Sequence, residues 1–202
     1  MTVKANEKLF VASGDLSDVV LNWYGDSIDK LDIYAESYRS AAQALVERLT
    51  DDQLRDIGAC PVVFLYRVSL ELFLKAILIS GAKLLQQHGE PLEIEGILNK
   101  DHNLSELWNE LKRLYQKLGW KWDAEVDVFG RLVREFQHKD PKASYFRYPV
   151  KKDGEAALDR NFSFELRNFC ERMETLLEFL DGMECGLAGL LDEKQEALLD
   201  CY

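Results

Sequence analysis

An all-α helical bundle is the fold class this sequence predicts, on three observations. Apolar residues recur at three- and four-residue steps through most of the chain. Only four prolines and twelve glycines occur in 202 residues. The longest apolar stretch, Pro61 to Ser80, carries only three charges, spaced four residues apart. The stepping is that of helices that bury one face, and the scarcity of breakers leaves no obvious linker. A chain of this length can bury one core. The expected unit is therefore a single helical domain over residues 1–202, a bundle.

The elements follow in order. Residues 1–25 lack clear periodicity and read as partly irregular. Ile28, Leu31, Ala35, Tyr38, Ala42, Leu45 and Leu49 mark the first helix, with Asp26 or Ser27 placed to cap it. Thr50 followed by Gln53 has the spacing of a capping box for a short helical turn ending at Gly58. Pro61 is suited to open the second long helix, where its missing N–H is not needed, and that helix runs to about Gln87. Residues 89–100 read as a loop. Asn103, three residues before Glu106, caps a helix marked by Leu104, Leu107, Leu111, Leu114 and Leu118. Asp123 caps the next, with Val126, Phe129, Val133 and Phe136 apolar, which stops before Pro141. A small hairpin fits 145–158 around the Asp153-Gly154 turn. A long helix from about Ser163 to Leu180 carries Leu166, Phe169, Met173, Leu176, Leu177 and Leu180. Gly182, Gly186 and Gly189 then separate it from a weaker helix over Leu187 to Leu199.

Composition narrows the function. The net charge of −11 argues against broad, salt-driven nucleic-acid binding, while leaving a local basic patch open. The opening residues carry no long apolar core or cleavage pattern of a signal peptide, and charges at 67, 71 and 75 speak against a membrane span for Pro61–Ser80. Cysteines 60, 170, 185 and 201 form no CxxC pair, and no Cys/His spacing suits zinc, so reduced thiols in a cytoplasmic protein are expected. No Gly-rich phosphate loop, GxSxG or HExxH is present, so no metal or other cofactor is expected.

Three groups of residues could carry chemistry. Arg67, Glu71 and Lys75 form a ladder on one side of an otherwise apolar helix. It reads either as an intrahelical ion-pair series or as a polar seam that meets other groups or an anion. His102 opens a helix, where a positive charge gains nothing from the helix dipole, which suits a neutral hydrogen-bonding role or a plain surface position. Arg147, next to Tyr148-Pro149, could bond an acidic partner such as Glu71, clamp a phosphate, or satisfy backbone carbonyls while Phe146 and Tyr148 pack the loop. Trp108, Trp120 and Trp122 are read as core or interface packing. Glu106 and Glu110 are read as a capping residue and a solvated side chain.

Taken in order, Glu71-Leu72-Phe73-Leu74-Lys75-Ala76, His102-Asn103-Leu104 and Arg147-Tyr148-Pro149 resemble one branch of the HEPN superfamily (higher eukaryote and prokaryote nucleotide-binding domains). That branch has an ExxxKA helix, a His-x-Leu turn and a late Arg-Tyr-Pro. The resemblance covers residues 26–180 and leaves 181–202 as an appended helix. It implies a bundle of four to five helices, frequently a homodimer, that contacts RNA, a nucleotide or a protein partner such as an antitoxin. On that reading Arg67, Glu71, Lys75, His102, Arg147 and Tyr148 are the ligand-binding set. Many members are metal-independent RNA endonucleases of toxin–antitoxin and phage-defence systems, marked by an Arg followed by a His after four to six residues. Arg131 and His138 satisfy that spacing, although Leu132 stands where a polar residue is expected. Both lie on a face nearly opposite the Val126–Phe136 stripe. This is either a solvated basic face, or one that meets its copy in a dimer, with the histidine as general base and the arginine stabilising charge.

Overall fold

The apolar run around Pro61–Ser80 becomes the axis of the molecule. In the computed structural model, which describes residues 9–14, 18–19, 21, 27–49, 52–87, 89, 94–100 and 102–199, it lies within one helix of 35 residues. The helices are α1 (Leu31–Arg48), α2 (Asp52–Gln86), α3 (Ile94–Leu98), α4 (Leu104–Lys117), α5 (Ala124–Lys139) and α6 (Leu166–Leu199), with a 3₁₀ turn at Ser27–Lys30. Helix α2 packs against α1, α3, α4 and α6, and α5 packs on α4. It is apolar all round because neighbours surround it: Val62, Val63, Tyr66, Leu70, Phe73, Leu74 and Ile77 are all buried. The fold is an all-α helical bundle, with no strand among the described residues.

Local signals that act through one or two side chains are realised as read. The Asn103 side chain accepts from the Glu106 N–H at 3.2 Å and its amide donates to the Glu106 carboxylate at 2.7 Å. Asp123 accepts from the N–H groups of Glu125 and Val126 at 3.0 and 3.2 Å. Helix α5 ends one residue before Asp140-Pro141.

Five expectations change. Pro61 does not open α2 but lies inside it, and the short turn expected to end at Gly58 is not separate but continues into the same helix. Proline costs one backbone hydrogen bond there, about 3 kcal/mol or more, and burial of the many apolar side chains that follow offsets it. The loop expected over 89–100 contains the short helix α3. Gly182, Gly186 and Gly189 do not divide α6, which runs unbroken for 34 residues. A helical glycine only loses about 1 kcal/mol of propensity relative to alanine. The hairpin is reduced to one antiparallel bridge, Val150 to Ala156, closed around Gly154 at φ +87°. Asp26 and Thr50, read as caps, lie outside the described residues.

Two polar and aromatic clusters tie the helices together. Arg39 of α1 pairs with Glu174 of α6 at 2.7 Å, and the Tyr66 hydroxyl of α2 donates to the same carboxylate at 2.6 Å. Burial and that carboxylate push the Tyr66 phenol well above its ordinary pKa. At the α4–α5 junction, Tyr115 meets the rings of Trp120 and Trp122, and Trp122 meets Trp108 edge to face at 6.0 Å. Glycine lets α5 approach here, since a Cβ at Gly130 would lie 2.6 Å from the indole nitrogen of Trp108, which is itself buried.

Gly130→Ala should therefore destabilise the fold by about 1–3 kcal/mol through overpacking, despite the helix propensity it gains. Urea unfolding followed by far-ultraviolet circular dichroism reads this directly. An unchanged or higher midpoint would show that α4 and α5 are not in contact at Trp108.

Candidate functional site

The Arg67–Glu71–Lys75 ladder forms on α2 and is buried. Arg67 is 0% exposed, and the Glu71 and Lys75 side chains are 10% and 12% exposed. Within the helix, Arg67 Nη1 lies 3.3 Å from Glu71 Oε2 and Lys75 Nζ lies 2.9 Å from Glu71 Oε1. The intrahelical ion-pair series is thus present, and so is a contact across the bundle. His102, 31 residues on, brings Nδ1 to 3.0 and 3.1 Å from the two Glu71 oxygens. Its backbone carbonyl accepts from Arg67 Nη2. Helix α2 therefore grips the turn before α4 twice, once by the ring and once by the main chain.

That turn is strained where it is gripped. His102 has φ +56°, in the left-handed region that side chains disfavour. Such a conformation costs about 1–3 kcal/mol and persists only where the surroundings enforce it. The His102 side chain is 60% exposed, so with Nδ1 on Glu71 the outer edge of the ring faces solvent.

Charge balance keeps Glu71 ionised. Burial works against its carboxylate, but Lys75, His102 and Arg67 outweigh it, and its pKa lies below the ordinary value. Burial likewise pulls the Arg67 pKa down, opposed by Glu71 and by Asp140. The guanidinium also lies over the Phe136 ring at 5.9 Å from its centroid.

Asp140, at the end of α5, is the residue the sequence reading missed. It is 0% exposed, and its Oδ1 accepts from the N–H groups of Ser144 and Tyr145 at 2.8 and 3.0 Å. It thereby shapes the turn that carries Arg147, where Ala143 also has a left-handed φ of +52°. Gln137 is the second omission. Its side chain accepts from the Leu104 N–H at 2.8 Å and donates to the Pro141 carbonyl at 3.0 Å, linking both turns. The Asp-Pro dipeptide after an apolar helix stripe was a legible turn signal, whereas nothing in the sequence marks Gln137.

Arg147 does not bond Glu71. Its guanidinium lies over Phe64, one helical turn before Arg67 on α2, and over its neighbour Tyr148, at 5.8 and 4.9 Å. Both Arg147 and Tyr148 are exposed. The three motif segments thus meet along α2, with the ladder inside and His102, Arg147 and Tyr148 outside. Arg131 and His138 lie on the exposed side of α5, and no side-chain hydrogen bond or ion pair is made by either among the described residues. Glu110 is not simply solvated but pairs with Lys100 and Arg113 at 3.0 and 2.8 Å. No cluster of metal-ligating side chains occurs among the described residues, and none of the described helices is long and apolar enough to cross a membrane.

Comparison with family models, curated proteins and solved structures gives no match.

Glu71→Ala should cost about 3–5 kcal/mol, because it leaves the Arg67 charge buried without its partner. The double change Arg67→Met/Glu71→Leu should recover most of that loss, since a matched apolar pair needs no charge compensation. The Glu71 pKa is lower in the fold than in the unfolded chain. Its stabilisation is therefore present above the unfolded value and lost as pH falls through the folded one. Wild-type stability should accordingly drop on acidification below the ordinary glutamate range, and the double variant should lack that share. Urea midpoints against pH measure both. A Glu71→Ala loss no larger than that of a surface change would disprove the buried ladder.

Proposed function

We propose that this chain is a HEPN-like helical protein that binds RNA or a nucleotide through the edge carrying His102, Arg147 and Tyr148. Arg67, Glu71 and Lys75 hold that edge in position. The contact between Glu71 and His102 at 3.0 Å carries this reading, because it joins two of the three ordered motifs across 31 residues. Arg67 is fully buried and so acts through His102 rather than on a ligand. The outer ring edge of His102 and the Arg147 guanidinium offer donors to a phosphate, and the Tyr148 ring offers a face to a base. With a net charge of −11, such binding is local and specific rather than driven by bulk charge. The same reading has the protein acting in the cytoplasm, in a defence or stress module, as a homodimer or with an antitoxin-like partner.

A metal-independent ribonuclease using Arg131 and His138 is the second reading. It is favoured by Arg131 and His138 both lying on the exposed side of α5, where a substrate could reach them. In that reaction His138 takes the proton of a ribose 2′-OH, the 2′ oxygen attacks phosphorus, and the 5′ oxygen leaves and is protonated by solvent. Arg131 stabilises the charge that develops. A pure interaction module is the third reading, favoured by the ladder charges pairing with one another along α2.

Fluorescence anisotropy with labelled oligoribonucleotides and nucleotides separates the three. Saturable binding that falls about tenfold or more in Arg147→Ala/Tyr148→Ala supports the first reading. Cleavage of RNA in EDTA that vanishes in His138→Ala, with binding retained, supports the second. Absence of any binding by the wild-type protein leaves the interaction module.

A further inference from the structure

Phe136 belongs to two environments. The Arg67 guanidinium lies over its ring, and the same residue lines an open groove of about 640 Å³ between α5, α6 and the segment that precedes α6. The volume is in the range of small-molecule sites. The aromatic lining closes on itself. Phe136 meets Phe146, Phe146 meets Phe162, Phe162 meets Phe164, Phe164 meets Phe169, and Phe169 meets Phe136, with ring centroids 5.6–6.4 Å apart. Five phenylalanines from three separate stretches of chain thus form a circuit, although Phe164 alone is 38% exposed.

Charge decides what such a groove favours. Glu135, Asp159 and Glu165 line it, and no side-chain hydrogen bond or ion pair engages them among the described residues. Two cations also line it, Lys139 and Arg172. Lys139 already places its ammonium over the Phe162 ring, 5.3 Å from the centroid. The molecule itself therefore shows an alkylammonium on this aromatic wall. A ring face attracts a cation and offers nothing to an anion, and the remaining carboxylates add to that preference.

We propose that this groove is a binding site for a small organic cation with an apolar body, an arylalkylammonium. The body packs among the phenylalanines, and the ammonium displaces Lys139 from Phe162 and faces Asp159 and Glu165. Lys139 and Arg172 can turn outward because their long stems leave the charged ends free to reach solvent. The site is distinct from the His102 edge, so it stands or falls independently of RNA or nucleotide binding.

The test is calorimetric titration of the full chain with phenethylammonium, with the neutral phenethyl alcohol and with the anionic hydrocinnamate. Saturable one-to-one binding of the ammonium is expected, roughly tenfold tighter than the alcohol. Asp159→Asn/Glu165→Gln should bring the ammonium down to the affinity of the alcohol, and Phe164→Ala should weaken both. All three substituted positions are exposed, and circular dichroism confirms that each variant is folded. Equal affinity for ammonium and alcohol would overturn the cation assignment, as would preference for hydrocinnamate. Absence of saturable binding by all three would overturn the site.

Discussion

A fully buried arginine is the constraint around which this bundle is arranged. Removing a guanidinium from water costs several kcal/mol unless charge and hydrogen bonds compensate it. Arg67 lies on the most enclosed helix of the fold, so the compensation must come from within. Glu71 supplies the charge and the His102 carbonyl supplies an acceptor. Glu71 then has capacity to spare, which Lys75 and the His102 ring take up. Asp140, also buried, adds a favourable field from the end of α5. Each partner brings a segment with it. His102 brings the start of α4, and Asp140 brings the turn that carries Arg147. The strained backbones at His102 and Ala143 fit this picture, because a left-handed non-glycine residue survives only where its surroundings hold it.

How much of this was legible depended on the range over which each cause acts. Asn103 and Asp123 announce their helices because a cap is a contact within three residues. Pro61 and the α6 glycines misled for the opposite reason. Their local preference is real, but packing along α2 outweighs it, and in α6 the loss per glycine is too small to end a helix. The ladder was legible because charges in an apolar run are conspicuous, and their i,i+4 spacing fixes their mutual contact. The link from Glu71 to His102 was not, since periodicity says nothing about which helix start lies beside which helix middle. Arg147 shows the same limit: its neighbourhood along α2 could be suspected, yet its partner turned out to be the Phe64 ring rather than a carboxylate. The phenylalanine circuit was invisible for the same reason, being assembled from α5, α6 and the chain between them.

Burial also divides labour within the ladder region. Arg67 has no access to solvent, and the Glu71 and Lys75 side chains have little. Atoms with access belong to His102, Arg147 and Tyr148, which are held from behind by the ladder or by the ring of Phe64. Rigid support of an exposed contact group is what a binding edge requires, because little freedom is left to lose on association.

The two histidines of interest differ in this same respect. His138 sits exposed on α5, and nothing among the described residues fixes the orientation of its ring. His102 has one ring nitrogen against a carboxylate that stays ionised, while the rest of the ring is open. A carboxylate behind an imidazole fixes the orientation of the ring and leaves its other edge open to solvent. A monomer therefore organises His102 and leaves His138 unorganised. Any chemistry at His138 would need a second surface to supply what Glu71 supplies here, which places the burden of the ribonuclease reading on a dimer and leaves the binding reading to the single chain.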